Sequence, residues 1–227
     1  MSRKLLILVI IGMLLMKTNV FAKSELKDIE KHWAKDAINA MSKTGIIKGY
    51  PDGTFKPDLE LTREQFAKLI SLTFNLPSNS SKQTFSDVSK YDWSFEFVEA
   101  SKQFLTGYFP PFGQAFFDPQ AYATREDVAV ALVRTMQLQG KSNSVEKFKD
   151  YNDISPKLRE EVSLAIDNEL MNGFPDKTFK PQDGVTRGQV ATLLYRIIKN
   201  SYNSEIAEIE LEVKADEVVY TDQITLN

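Results

Sequence analysis

The stretch LTREQFAKLI, residues 61–70, predicts the start of an amphipathic helix with a cation in an unusual place. Thr62 is a typical N-cap and Gln65 completes a capping box, while the apolar residues that follow begin one helical face. Arg63 then occupies the first helical position, where the helix dipole favours an acidic side chain. The same pair recurs twice more at a spacing of 62 residues, as Thr124-Arg125 and Thr186-Arg187.

The Thr-Arg pairs belong to three copies of a longer unit. Apolar residues stand four, seven, eight and twelve positions after each threonine, which traces one face of an α-helix in every copy. Upstream lies a loop that reads GYPDGTFKP in the first copy, and an earlier amphipathic helix precedes each loop. One such hairpin cannot bury both of its faces, so we predict a mainly α fold in which three helix-loop-helix repeats share a core.

The copies are not identical. The distance from the loop glycine to the threonine is 13 residues in the first and third copies and 17 in the second, whose loop GYFPPFGQAFFDP is longer and aromatic. The third copy has Lys157 or Leu158 where the others have tryptophan, and it has Gly188 after the Thr-Arg pair where the others have glutamate.

Both ends of the chain differ from the repeats. Residues 1–22 combine a basic start, a run of twelve apolar residues and a small-residue cleavage sequence, which predict a signal peptide. A membrane anchor is the alternative, but about 20 apolar residues are needed to cross a bilayer. Residues 201–227 alternate like β-strands and predict an edge hairpin or the start of a further domain. We expect the repeats to span 23–77, 78–141 and 142–200.

Composition limits the function classes. The chain has no cysteine, which excludes disulfides and thiolate chemistry. Cleavage of the leader removes three of 28 basic residues and none of 31 acidic ones. The resulting net charge near −6 argues against non-specific nucleic-acid binding. His32 is the single histidine, so we expect a surface residue rather than a metal ligand or triad member. We expect no metal, no cofactor and no membrane partner after cleavage.

These residues resemble the S-layer homology family of exported bacterial modules, which usually occur in threes. The resemblance rests on Asp28 before Trp33, on the loop GYPDGTFKP and on Thr62-Arg63-Glu64, and it covers roughly residues 24–200. It implies pseudo-threefold packing around a helical bundle and a place in the bacterial cell wall or S-layer. It also implies grooves between repeats that bind secondary cell-wall polysaccharide, often through a pyruvylated amino sugar, without catalysis.

The resemblance carries a set of glycan contacts over to this chain, with the three arginines as central contacts. The implied contacts are Arg63, Arg125, Arg187, Gly49, Gly107, Gly173, Lys48, Asp28, Asp87, Asp150, Trp33 and Trp93. The divergent loop of the second copy and the missing tryptophan of the third indicate that at least one groove is reshaped or empty.

The residues themselves leave alternatives open. An arginine at the helix start could join the uncapped N–H groups in an anion site and grip a carboxylate with two hydrogen bonds. It could instead pair with an acid, such as Glu64 or Glu126, or clamp loop carbonyls. We expect the tryptophans to be core residues more than sugar platforms, the loop glycines to supply positive φ, and the aspartates to cap or brace.

Three function classes compete at this point. The favoured one is a non-enzymatic anchor to anionic wall glycan, and the second is an assembly module for other surface proteins in which the arginines are structural. A hydrolase is disfavoured, because the recurring acids precede helices in every copy, whereas a glycosidase needs two carboxylates facing each other across a cleft.

Overall fold

The computed structural model describes residues 26–77, 82–107 and 109–202. The predicted signal peptide, and the predicted β segment beyond residue 202, lie outside these residues. Six α-helices are described: α1 (Lys35–Lys43), α2 (Arg63–Thr73), α3 (Phe95–Ser101), α4 (Arg125–Thr135), α5 (Arg159–Asp167) and α6 (187–202). Three 3-10 turns precede α5: Ser144–Lys147, Tyr151–Asp153 and Pro156–Leu158. In the described ranges, β pairing is limited to isolated bridges, and the predicted mainly α class is confirmed.

The helices form three pairs, which we call repeat 1 (α1 and α2), repeat 2 (α3 and α4) and repeat 3 (α5 and α6). The second helix of each repeat begins at its Thr-Arg pair, as predicted. The Thr62 hydroxyl accepts a hydrogen bond from the Gln65 N–H, and the Gln65 side chain accepts one from the Thr62 N–H. Equivalent capping boxes begin α4 and α6. The caps therefore place all three arginines at the first helical position.

A ring of three backbone hydrogen bonds joins the repeats. Leu61 N–H donates to the Val185 carbonyl, Val185 N–H to the Ala123 carbonyl, and Ala123 N–H to the Leu61 carbonyl, each at 2.9 Å. All three residues are buried. Each repeat thus donates to one neighbour and accepts from the other, so the ring closes only when all three repeats are present. This cyclic arrangement is the pseudo-threefold packing that the resemblance implies.

Helices of successive repeats share the core. α2 packs against α3, and α4 packs against α5. The phenylalanine of each Phe-x-Pro sequence is also buried, with at most 2% of its surface exposed: Phe55, Phe117 and Phe179. Replacing such a residue with alanine typically costs about 3–5 kcal/mol. Each loop is therefore anchored in the core by its phenylalanine.

Two further features bear on function. Within residues 26–77, 82–107 and 109–202, every helix is too short or too polar to cross a bilayer. The same part of the chain brings no three histidine, aspartate or glutamate side chains together as metal ligands would be.

Candidate functional site

Each arginine leaves its own helix start and reaches the loop of the next repeat. Arg63 contacts the loop of repeat 2, Arg125 that of repeat 3, and Arg187 that of repeat 1. In each case Nε donates to the buried phenylalanine's carbonyl and Nη2 donates to the carbonyl just before the loop glycine. Arg63 donates to the carbonyls of Phe117 (2.8 Å) and Thr106 (2.5 Å). Arg125 donates to those of Phe179 (2.7 Å) and Asn172 (2.8 Å), and Arg187 to those of Phe55 (2.8 Å) and Lys48 (2.9 Å).

The main-chain donors at these helix starts are already used within the protein. The N–H groups of Arg63 and Glu64 donate to carbonyls of repeat 2 at 2.8 and 3.1 Å. The equivalent groups of α4 and α6 donate to the next repeat in the same way. The expectation that an anion would bind these N–H groups together with the guanidinium is therefore wrong. The clamping of loop carbonyls, which was the alternative interpretation, is what the structure contains.

Aromatic rings lie beneath the guanidinium groups. The Arg187 Cζ lies 4.5 Å from the centre of the Phe55 ring and 4.9 Å from that of Tyr50. Arg125 lies at similar distances from Phe174 and Phe179. Cation–π attraction of this kind contributes roughly 0.5–2 kcal/mol and adds no opposite charge. The rings therefore fix the guanidinium plane and leave its charge available.

The Arg63 site differs because it contains a carboxylate. Arg63 Nη1 donates to Asp127 Oδ2 at 2.8 Å and to the Thr106 hydroxyl at 3.1 Å. The side chains of both ion-pair partners are only 13% exposed. Thr106 also donates a short hydrogen bond to the other oxygen of Asp127. The guanidinium of this site is thus neutralised by the protein itself.

The acids proposed as arginine partners from the sequence have other roles. Glu64 accepts a hydrogen bond from the Gln120 side chain, and Glu126 accepts two from Ser155. Both carboxylates are directed to neighbouring loops. That pairing prediction is therefore wrong: the acid that pairs with Arg63 is Asp127, the residue after Glu126 and the third residue of α4 in the next repeat.

The Arg125 site opens into a cavity of about 150 Å³ where all three repeats meet. Trp33 of repeat 1, Arg125 of repeat 2, and Gln189 and Arg196 of repeat 3 line it together with apolar side chains. None of the described residues that line it is acidic. Within the described ranges, Arg125 Nη1 has no hydrogen-bond acceptor. Burial lowers the pKa of Arg125, although the charges of nearby aspartates oppose this shift.

The Arg187 site also lacks an acid that hydrogen-bonds to its arginine in the described contacts. Gln65 occupies the helix position that Asp127 occupies in the Arg63 site, and the described residues offer Arg187 Nη1 no acceptor. Burial lowers the pKa of Arg187, and the electrostatic effects of Tyr50 and Asp28 oppose this shift. Lys48, an exposed residue, contributes its backbone carbonyl to this arginine.

Both tryptophans are exposed, so the expectation that they are core residues is wrong. Trp33 is 65% exposed and Trp93 is 51% exposed. Each precedes the first residue of its helix, Lys35 or Phe95, by two positions. The helical spacing used to assign them to the core does not apply outside the helix. Trp33 instead forms one wall of the Arg125 cavity.

The loop glycines are required for space rather than for positive φ, which corrects the prediction. Gly49, Gly107 and Gly173 do not have left-handed φ values. A Cβ on Gly49 would lie 2.5 Å from Leu26, and one on Gly173 would overlap the Phe148 ring. The left-handed residues common to the loops are those before the prolines: Lys56, Asp118 and Lys180.

The three aspartates brace these left-handed residues. The Asp28 carboxylate accepts hydrogen bonds at 2.7 Å from the N–H groups of Phe55 and Lys56. Asp87 and Asp150 bind the equivalent groups of their own loops. Burial would raise the pKa of Asp28, but the hydrogen bonds outweigh it and hold the pKa below the ordinary value of 3.8.

His32 is half-buried, contrary to the expected surface position. Its Nδ1 accepts the Ala34 N–H at 3.1 Å, so Nε2 carries the proton that faces Asp58 at 3.2 Å. A Cβ on Gly188 would lie 3.0 Å from the His32 ring. A side chain at position 188 would therefore crowd the His32 ring.

Sequence reasoning missed three residues of these sites: Asp127, Gln189 and Arg196. The signal was present at the third helical position, which reads Gln65, Asp127 and Gln189 across the copies. From the sequence alone, this position indicates only a capping role. Its second role depends on contact with the preceding repeat, which no spacing along the chain encodes.

A model of the S-layer homology domain matches residues 25–67 and 147–191, within the first and third repeats. The chain is 28% identical over 180 residues to an amylopullulanase of Thermoanaerobacterium thermosulfurigenes, covering 78% of this chain and 10% of that protein. It is 25% identical over 213 residues to the surface-layer 125 kDa protein of Lysinibacillus sphaericus, covering 92% and 17%. It is 28% identical over 161 residues to a cellulosome-anchoring protein of Acetivibrio thermocellus, covering 68% and 35%.

These matches confirm the family recognised from the sequence: the chain contains S-layer homology domains. The domain and the surface proteins among its relatives locate the chain at the bacterial cell wall or S-layer. The chain spans between a tenth and about a third of the length of the three relatives described above.

Proposed function

We propose that this chain is a non-catalytic anchoring module that holds its protein on the cell wall by binding an anionic polysaccharide in the grooves between repeats. The observation that carries the proposal is the Arg125 cavity, which contains two arginines and, among the described lining residues, no acid. The name of one relative, a cellulosome-anchoring protein, supports anchoring as the role of the shared region.

The cavity suits a carboxylate on an otherwise neutral sugar, such as a pyruvate ketal. Two loop carbonyls hold the Arg125 guanidinium in place, which leaves Nη1 to donate to a ligand. A buried cation whose described hydrogen-bond acceptors are two neutral carbonyls is costly, and a bound carboxylate would offset that cost through charge-assisted hydrogen bonds. The apolar walls and the exposed Trp33 ring would pack against the non-polar face of a sugar.

The acidic balance of the chain makes local sites necessary. Long-range attraction to an anionic polymer needs a positive surface, whereas this sequence carries 31 acidic and 28 basic residues. Affinity would then come from individual sites, and two sites engaging one polymer would bind more tightly through avidity.

The carboxylates that recur in the repeats do not support a catalytic role. Glycoside hydrolysis needs two carboxyl groups that face each other across a substrate cleft. The recurring acids Asp28, Asp87 and Asp150 instead bind loop N–H groups, and none of them lines the Arg125 cavity.

The test is binding to purified wall sacculi before and after hydrofluoric acid removes the polysaccharide. Wild-type protein is expected to sediment with untreated sacculi and to stay in solution with stripped ones. Trp33→Ala is expected to weaken sedimentation several-fold because it removes one wall of the cavity. Tyr91→Ala is the matched control, since Tyr91 is 86% exposed and lies outside the cavity. Equal sedimentation with stripped sacculi would contradict the proposal.

A second function has one observation in its favour. The long loop of repeat 2 exposes Phe109, Phe112 and Phe116, with Phe112 at 93%. Exposed aromatic residues of this kind mark many protein contacts, so the module could assemble with another surface protein. Sedimentation that survives stripping but is lost in Phe112→Ala would support this function instead.

A further inference from the structure

We infer that Asp127 acts as an internal carboxylate that occupies the Arg63 site, so that the module presents two of its three arginines to ligand. The inference rests on the proposed function, because it assigns which grooves take the glycan carboxylate. It starts from one helix position, the third residue of α2, α4 and α6.

That position has two contacts, and only one is shared by all three copies. Gln65, Asp127 and Gln189 each accept a hydrogen bond from the N–H of their own N-cap threonine, at 3.2, 3.1 and 3.0 Å. Asp127 additionally binds the arginine of the preceding repeat at 2.8 Å. Gln189 lines the Arg125 cavity as a neutral amide. The Arg63 site therefore has an acid at this position and is neutralised, whereas the Arg125 site has an amide there and keeps its charge.

The geometry of the ion pair is that of a bound carboxylate. One oxygen of Asp127 takes Arg63 Nη1 and the other takes the Thr106 hydroxyl. Nε and Nη2 of Arg63 are held by loop carbonyls, as they are in the other two sites. Asp127 thus accepts a hydrogen bond from Nη1, the guanidinium nitrogen that has no acceptor in Arg125 and Arg187 within the described chain.

A second ion pair neutralises Arg134, the residue of repeat 2 that corresponds to Arg196 of repeat 3. Arg134 and Arg196 both stand ten residues after their threonines. Arg134 donates to Glu161 at 2.6 Å, whereas Arg196 donates to the Leu170 carbonyl and lines the Arg125 cavity. Arg63 and Arg134 therefore each pair with an acid, whereas Arg125 and Arg196, which line the cavity, pair with none among the described contacts.

The first experiment counts sites by isothermal titration calorimetry, with the methyl glycoside of a pyruvate-ketal amino sugar as the probe. Wild type is expected to bind two molecules and Asp127→Gln three, since glutamine recreates the residue found in the other two sites. The reciprocal variant Gln189→Asp is expected to bind one, because it places a carboxylate beside Arg125 and keeps a capping residue that α4 already uses. Three sites in wild type, two in Asp127→Gln, or two in Gln189→Asp would overturn the inference.

A second experiment separates failure of the inference from failure of the proposed function. If wild type does not bind the probe, the proposed glycan function is wrong, and occupancy of the Arg63 site is then tested without ligand. Thermal unfolding is measured for Arg63→Gln, Asp127→Asn and the double variant. The loss of melting temperature in the double variant is expected to be smaller than the sum of the single losses, because either change alone breaks the same pair. Additive losses would overturn the pairing.

Discussion

The Arg125 and Arg63 sites are built in the same way, but a carboxylate of the protein neutralises Arg63 and none pairs with Arg125 in the described contacts. Both begin with a capping box, both clamp two carbonyls of the next repeat, and both place the guanidinium over a buried phenylalanine ring. At the Arg125 site, the described lining of the cavity contains no acid, and at the Arg63 site the remaining Nη1 donates to Asp127. The clamp is therefore a structural feature of every repeat, whereas the charge left for a ligand depends on the residue that faces it.

The largest expected difference between the sites is in stability. Asp127→Ala should lower the free energy of unfolding by about 3 kcal/mol, because it leaves the largely buried Arg63 without its ion-pair partner. Gln189→Ala loses only a capping hydrogen bond, which is worth about 1 kcal/mol. Urea unfolding followed by circular dichroism measures both. Equal losses would mean that the Arg63–Asp127 pair adds nothing beyond the cap.

A second difference concerns the loop glycines. Gly173→Ala should destabilise by about 2 kcal/mol, since the added methyl overlaps the Phe148 ring in the loop clamped by Arg125. Gly107→Ala in the loop clamped by Arg63 should cost less, because its Cβ would lie 3.0 Å from the Phe85 ring. The same urea assay compares the two. A larger loss in Gly107→Ala would contradict the steric explanation.

The smallest effect is expected from acid. Because the folded state lowers the pKa of Asp28, the ionised carboxylate stabilises the fold fully above pH 3.8 and loses this contribution as the pH falls through the lower folded-state pKa. The difference in melting temperature between wild type and Asp28→Asn should thus be largest near neutral pH and shrink below pH 3.8. Asp153→Asn, at an exposed position outside the Asp28 brace, is the control substitution. A difference that grows in acid would contradict the bracing role.

The helix starts could be predicted from the sequence because their causes are local. Thr62 and Gln65 lie within one helical turn, so the capping box and the position of Arg63 follow from spacing alone. The exposure of Trp33 could not be predicted, because it depends on the residue at which the helix begins. The role of Gly173 could not be predicted either, because it depends on the Phe148 ring, 25 positions earlier in the chain. Asp127 is the extreme case, since its partner lies 64 residues earlier in another repeat. Contacts between repeats are set by the closed ring, and only the family resemblance indicated that ring.

The most direct measurement is the affinity of Arg125→Gln and Arg63→Gln for untreated wall sacculi, corrected for the folded fraction of each variant. Both changes remove the same loop clamp, and Arg63→Gln also breaks the ion pair with Asp127, for which the folded-fraction correction accounts. Arg125→Gln should bind about 10- to 100-fold more weakly, the value of one or two charge-assisted hydrogen bonds. Arg63→Gln should bind like wild type once folding is accounted for. Equal losses in the two variants, or a larger loss in Arg63→Gln, would contradict the assignment of ligand binding to the Arg125 site.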